Sequence, residues 1–174
     1  MSVFETERLV MRPWREDDAE NLYKYASDPE VGPSAGWPVH TSVEDSLRVL
    51  REVLIEDKTW AVTIKPSDEP VGSIGAFPTD ASGADGEPEI GYWIGRPYWG
   101  NGYIPEAVRA LIGRCFDEGA ESVWCSHFAG NDKSRRVIEK CGFRYVMTKP
   151  WQPTPEDTRD ALYYKITRKE WEHD

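Results

Sequence analysis

Between residues 89 and 107 the chain reads EIGYWIGRPYWGNGYIPEA, and this segment restricts the fold more than any other. Its opening run, EIGYWIG, reads as a strand whose glycines permit close backbone approach or a bulge. A turn holding Gly100 and Gly102 follows. Beyond it Val108, Leu111, Ile112, Cys115 and Phe116 fall at i, i+3, i+4, i+7 and i+8. That spacing is one face of an amphipathic helix, and Pro105 suits its first turn, where a missing N–H costs nothing. SVWCSHF (122–128) then reads as another strand. Strand, glycine turn, helix and strand make a crossover between parallel neighbours, right-handed by the general rule.

The flanking elements are of another kind. RLVMRPW (8–14) alternates as a first strand. Residues 17–26 predict a helix with acidic residues at its start. A second helix begins near Ser42, where Val43, Leu47, Leu50 and Leu54 form an apolar stripe. Between them PEVGPSAGWPVH, rich in Pro and Gly, reads as irregular. TWAVTI and PVGSIGAF, joined by KPSDE, read as an antiparallel hairpin, and TDASGADGEP as a surface loop. NDKSRRVIEKCGF predicts a short helix capped at Asn131 or Asp132 and stopped at Gly142. RYVMTK and DALYYKITR supply two final strands. No repeat or linker interrupts the pattern, so residues 1–174 read as one domain. The expected class is α/β (α+β). Its mixed central sheet of about seven strands is antiparallel in the N-terminal part and parallel and splayed at the centre, flanked by about four helices. Where neighbouring strands part, ligands tend to lodge.

Charge and cysteine usage narrow the function. A net charge of -10 argues against a nucleic-acid partner, which needs a basic footprint. It suits a cationic or amine-bearing partner, and equally a merely soluble surface. Nowhere do roughly eighteen apolar residues run together, so no membrane span is expected. MSVFETERLVMRP has no basic stretch leading into an apolar one, so no signal peptide is expected. Cys115, Cys125 and Cys141 lack metal-ligand spacing and read as reduced, buried thiols of a cytoplasmic protein. His40, His127 and His173 are scattered, and no metal is expected.

The glycine turn admits two readings. A tight turn needing φ > 0 explains glycine by itself. Alternatively, bare N–H groups at a helix N-terminus form an anion site. A second capped helix, beginning NDKS, follows the next parallel strand and puts another polar N-terminus on the same sheet edge. Taken with ETERLVMRPWREDDAENLYKYASDPEV at the start, EIGYWIGRPYWGNGYIPEA and NDKSRRVIEKCGF resemble the GNAT superfamily of acetyl-CoA-dependent N-acetyltransferases. Within it the chain is most similar to the Rim-type (RimJ/RimL-like) group, which includes enzymes acetylating the N-termini of ribosomal proteins.

The resemblance implies a fold, a co-substrate and a site. A Gln/Arg-x-x-Gly-x-Gly/Ala turn binds the coenzyme A pyrophosphate through backbone N–H groups, and here it is Trp99, Gly100, Asn101, Gly102, Tyr103 and Ile104. Trp99 stands for the Gln/Arg and Ile104 for the small last residue, whose β-branch would crowd a phosphate. Trp93, Ile94 and Gly95 would lie along the pantetheine arm and offer N–H groups, with Asn131 bonding the same arm from the other side of the splay. Many relatives place a Tyr acid where Ile138 stands, so Ser134 is the candidate acid. Glu89, on the same strand face as Gly91 and Trp93, is the candidate base, with Glu156 and Asp157 as competitors. Direct attack in a ternary complex needs no enzyme nucleophile, so Cys125 reads as core. Trp37 and Trp151, in segments read as irregular, are candidate walls of the acceptor site. The acceptor would be a protein N-terminus or a small amine, and the resemblance admits a homodimer. A non-catalytic acyl-CoA-binding module is the alternative. A Rossmann-type nucleotide site is disfavoured by the lack of a third glycine at its spacing.

Overall fold

The computed structural model describes residues 1–57, 59–81, 83–84 and 86–173. Residues 82 and 85 of the loop read over 79–88 lie outside the described residues, as does residue 174 of the expected single domain. The strands are β1 (Phe4–Glu5), β2 (Leu9–Pro13), β3 (Trp60–Ile64), β4 (Pro70–Pro78), β5 (Pro88–Ile94), β6 (Ser122–Phe128), β7 (Arg144–Thr154) and β8 (Asp157–Thr167). The helices are α1 (Ala19–Ala26), α2 (Gly32–Ala35), α3 (Val43–Val49), α4 (Tyr103–Asp117), α5 (Asp132–Lys140) and α6 (Arg168–Glu172).

The sheet is mixed, as the sequence predicts, in the order β1-β2-β3-β4-β5-β6-β8-β7. Pairing is antiparallel from β1 to β4. It is parallel between β5 and β6, where the register pairs are Glu89↔Trp124 and Ile90↔Cys125. It is antiparallel again from β6 through β8 to β7. On α4 the predicted apolar face is the buried one: Val108, Leu111, Ile112, Cys115 and Phe116 are all buried.

Two compact units divide the chain, one of residues 1–75 and 92–110, the other of residues 76–91 and 111–174. In the first, Trp14, Ala19, Leu22, Ala26, Leu50 and Ala61 form a core cluster. Val43, Leu47 and Leu54 of the predicted stripe pack against it, with Trp37 and Trp93. In the second, Ala81, Ala84, Trp124, Ala161 and Tyr163 cluster, with Phe128, Met147 and Trp151 packed on them.

The departures from the sequence reading have local causes. The Pro/Gly-rich segment contains α2, ended by Gly36 in the left-handed region at φ 97°. A Cβ on Gly32 would lie 2.6 Å from the Trp37 ring, so that glycine is where the indole closes over the turn. Trp151 is in β7, paired with Arg159 of β8, and not in an irregular loop. β7 ends the strand order, and an edge strand can take proline at positions whose N–H would face away from its one partner strand. A bulge between Trp151 and Thr154 absorbs the irregularity.

Candidate active site

In the first unit, β5 runs into the glycine turn. Gly95 is required by close approach, since a Cβ there would stand 2.5 Å from the Tyr25 ring. Its N–H donates to the Val71 carbonyl at 2.8 Å. The expectation that Trp93, Ile94 and Gly95 all offer free N–H groups is therefore corrected at Gly95, whose donor belongs to the sheet. Trp93 stacks on Trp14 at 6.3 Å and meets Trp37 edge-on at 5.7 Å. Trp99 folds back on the strand, its indole N–H donating to the Ile94 carbonyl at 2.9 Å. The Asn101 amide holds the Tyr98 and Trp99 carbonyls, at 3.1 and 3.2 Å.

Gly100 and Gly102 both lie in the left-handed region, each at φ 77°, so the turn demands glycine at both positions. The same geometry leaves a row of donors. Among the described residues, no N–H from Gly100 to Ile104 has a hydrogen-bond acceptor. That row opens a 15-residue helix, where the macrodipole adds partial positive charge. The need for glycine and the open donor row thus occur in the same turn. Ile104, the β-branched residue at the end of the turn, is buried.

One cation beside the turn escaped the sequence reading. The Arg8 guanidinium donates through Nε to Glu106 Oε2 at 2.7 Å and through Nη1 to the Asn101 carbonyl at 2.9 Å. It also lies over the Tyr103 ring, 4.6 Å from the centroid. Glu106 Oε1 accepts from Thr6 Oγ1 and from the Arg8 N–H. Partial burial pushes the Glu106 carboxyl up, but the Thr6 and Arg8 hydrogen bonds outweigh it and hold the group below its ordinary range. Arg8 and Glu106 are 98 positions apart, so only a tertiary structure could pair them.

The second unit carries the acid–base candidates. Glu89 is only 6% exposed, on β5. Thr79 Oγ1 donates to its Oε2 and Ser126 Oγ to its Oε1, both at 2.7 Å. Burial raises its pKa above the ordinary 4.5, and the two hydroxyls offset this only in part. Asn131 caps α5, its side chain accepting the Ser134 N–H at 3.2 Å. Ser134 is partly buried in the first turn of that helix. Ile138 is fully buried. Cys125 is buried, its thiol directed at the Ile90 carbonyl at 3.3 Å, and burial keeps it protonated. Asp157 is paired with Arg159 at 2.7 Å, which makes it a poor base, and Glu156 is exposed. Among the described residues, no three His, Cys, Asp or Glu side chains are grouped to hold a metal, and no helix is long and apolar enough to cross a membrane.

Comparison with known proteins agrees with this geometry. A family profile described as the acetyltransferase (GNAT) domain matches residues 8–144. The uncharacterized N-acetyltransferase p20 of Bacillus licheniformis is 34% identical over 64% of this chain, which spans 65% of that protein. FsC-acetyl coenzyme A-N(2)-transacetylase of Aspergillus fumigatus is 25% identical over 95% of this chain and 76% of its own length. Among solved structures, a GNAT-family acetyltransferase from Bacillus anthracis superposes with a TM-score of 0.81 at 25% identity, covering 97% of this chain and 99% of that one. With its strand–glycine turn–helix and mixed sheet in place, the chain belongs to the GNAT acetyltransferase family.

Proposed function

We propose that this protein transfers an acetyl group from acetyl-CoA to a primary amine by direct attack in a ternary complex. One observation carries the reading: in a GNAT chain, five consecutive N–H groups without acceptors among the described residues open α4. They fit the pyrophosphate of coenzyme A, which backbone donors at a helix N-terminus bind without any particular side chain. Asn101, Gly102 and Tyr103 form the centre of that row, with Gly100 and Ile104 at its ends, and Trp99 acts by holding the turn to β5.

Bound acetyl-CoA supplies the activated acyl carbon. The remaining chemistry belongs to the chain. Glu89 takes the proton that keeps the acceptor amine protonated, and its raised pKa suits a base working nearer neutrality. N–H groups of Trp93 or Ile94 stabilise the developing oxyanion; loss of one such donor in an enzyme costs about 2.7–4 kcal/mol. Ser134 returns a proton to the departing thiolate, while Asn131 fixes the first turn of α5 and bonds the pantetheine arm. Ser134→Ala is then expected to lower turnover about a hundredfold with unchanged acetyl-CoA affinity. Unchanged turnover would remove Ser134 from the chemistry.

The Rim-type resemblance makes a protein N-terminal amine the first acceptor to try, ahead of small amines. A second reading, a non-catalytic acyl-CoA-binding module, is favoured by Ile138, which is fully buried where many relatives carry an acidic Tyr. Thiol release on addition of peptide or small amines separates the two.

Titration calorimetry with acetyl-CoA, on the protein and on Gly102→Glu, tests the shared premise. The substitution forces a side chain into φ 77°, against Arg8 Nη2 and with a negative charge among the donors. Binding by the native chain and a loss of more than about tenfold in the variant are expected. No binding by the native chain would end the acetyl-CoA reading.

A further inference from the structure

We propose that Arg8 reads a phosphate group of the coenzyme, extending the backbone donor row of the glycine turn with a guanidinium supplied from the residue just before β2. The inference rests on the acetyl-CoA reading above. Guanidinium has five N–H donors. Arg8 commits Nε to Glu106 and one Nη1 donor to the Asn101 carbonyl. Among the described residues Nη2 has no acceptor, and it lies 3.4 Å from where a Cβ on Gly102 would stand. The unused end of the fork is thus at the middle of the N–H row.

Orientation argues against a mere strut. A tie between β2 and α4 needs only the Glu106 contacts, which the Thr6 hydroxyl and the Arg8 N–H already reinforce. The Tyr103 ring and the Asn101 carbonyl instead hold the guanidinium plane over the turn, so little side-chain entropy remains to be lost on binding.

Charge balance points the same way. The chain carries a net charge of -10 and must hold a polyanion. Trp99, at the motif position that a Gln or Arg fills in relatives, has its single side-chain donor committed to Ile94. Arg96, the guanidinium that opens the turn, is paired with Asp28 and Glu30. Arg8 supplies the side-chain donor that Trp99 does not. Two phosphates of the coenzyme share this chemistry, the pyrophosphate and the 3′-phosphate.

Calorimetric titration of Arg8→Gln and the native chain with CoA and with 3′-dephospho-CoA separates them. A charge-assisted contact predicts a loss of about tenfold or more. An equal loss with both ligands assigns Arg8 to the pyrophosphate; a loss with CoA alone assigns it to the 3′-phosphate. In either case the salt dependence of binding becomes shallower in the variant. Affinities within twofold of native for both ligands would overturn the proposal. So would an equal loss toward S-acetylpantetheine, which lacks phosphates, because that result means collapse of the turn. Should Arg8→Gln fail to fold, phenylglyoxal labelling of the native chain decides. Arg8, with a side chain 42% exposed, should be labelled in the free protein and protected by CoA but not by S-acetylpantetheine. Labelling unchanged by CoA would overturn the proposal, whereas native protein that binds no CoA at all would sink the acetyl-CoA reading itself.

Discussion

Glu89→Gln is expected to lower turnover about 10²–10⁴-fold, the usual contribution of a positioned base, while the protein stays as stable as before. That range corresponds to about 2.7–5.5 kcal/mol of barrier. The two effects part because of where the carboxyl sits. Burial disfavours its charged form, and the Thr79 and Ser126 hydroxyls only partly restore it, so the folded pKa stands above the unfolded one. A carboxyl raised in this way stabilises the fold at pH below its unfolded value, and the contribution is lost as pH rises through the folded pKa. At pH above that folded pKa the fold carries the penalised form. Glutamine removes that penalty and still bonds both hydroxyls, which can turn to donate or accept. The melting temperature near pH 7 should therefore be equal or higher in the variant. In the native enzyme the rate should fall as pH drops through the raised pKa, with a midpoint above the ordinary glutamate value of 4.5. A pH–rate profile of Glu89→Gln that keeps this acid limb would remove Glu89 as base.

Legibility in the sequence followed the range of the interactions. The α4 face was readable because Val108, Leu111, Ile112, Cys115 and Phe116 express a helical period, and a buried stripe is what that period means. The Asn131 cap and the Gly142 stop, at φ 95°, are equally local. So was the demand for glycine at positions 100 and 102. The length of β7 was not readable, because its prolines signal a loop anywhere but on an edge strand, and the strand order is a tertiary fact. Glu89 was legible as a strand residue but not as a buried one. Its burial and its partners come from Thr79, ten residues earlier, and Ser126, thirty-seven later. Arg8 and Glu106 left no local trace at all. What sequence could offer there was only the negative sign of Trp99, a motif position without its usual donor.

The pairing of Arg12, another unsignalled contact, sets the largest stability effect expected of a single substitution. Arg12→Ala should cost about 3–5 kcal/mol, the range found when one partner of a buried ion pair is removed. Arg12 is 4% exposed and Asp18 5%. The guanidinium forks onto both Asp18 oxygens at 2.9 Å. Its remaining donors go to Asp68 Oδ1 at 2.8 Å, the Asp68 carbonyl at 2.8 Å and the Pro13 carbonyl at 3.0 Å. All five are satisfied, and they join β2, the start of α1 and the β3–β4 turn within one unit. Asp68 is largely exposed, so its share is small and Asp68→Ala should cost about 1 kcal/mol or less. The large term is Asp18, which without Arg12 keeps, among the described residues, only the Arg15 N–H, at 2.8 Å, as partner for a buried charge. If the orphaned charge is the cause, Arg12→Met combined with Asp18→Asn should recover much of the loss, since the amide oxygen of the new side chain can still accept that N–H and needs no counter-ion. Urea midpoints at constant slope measure each step. A double variant no more stable than Arg12→Ala would mean that the lost fork itself, and not the stranded carboxylate, carries the energy.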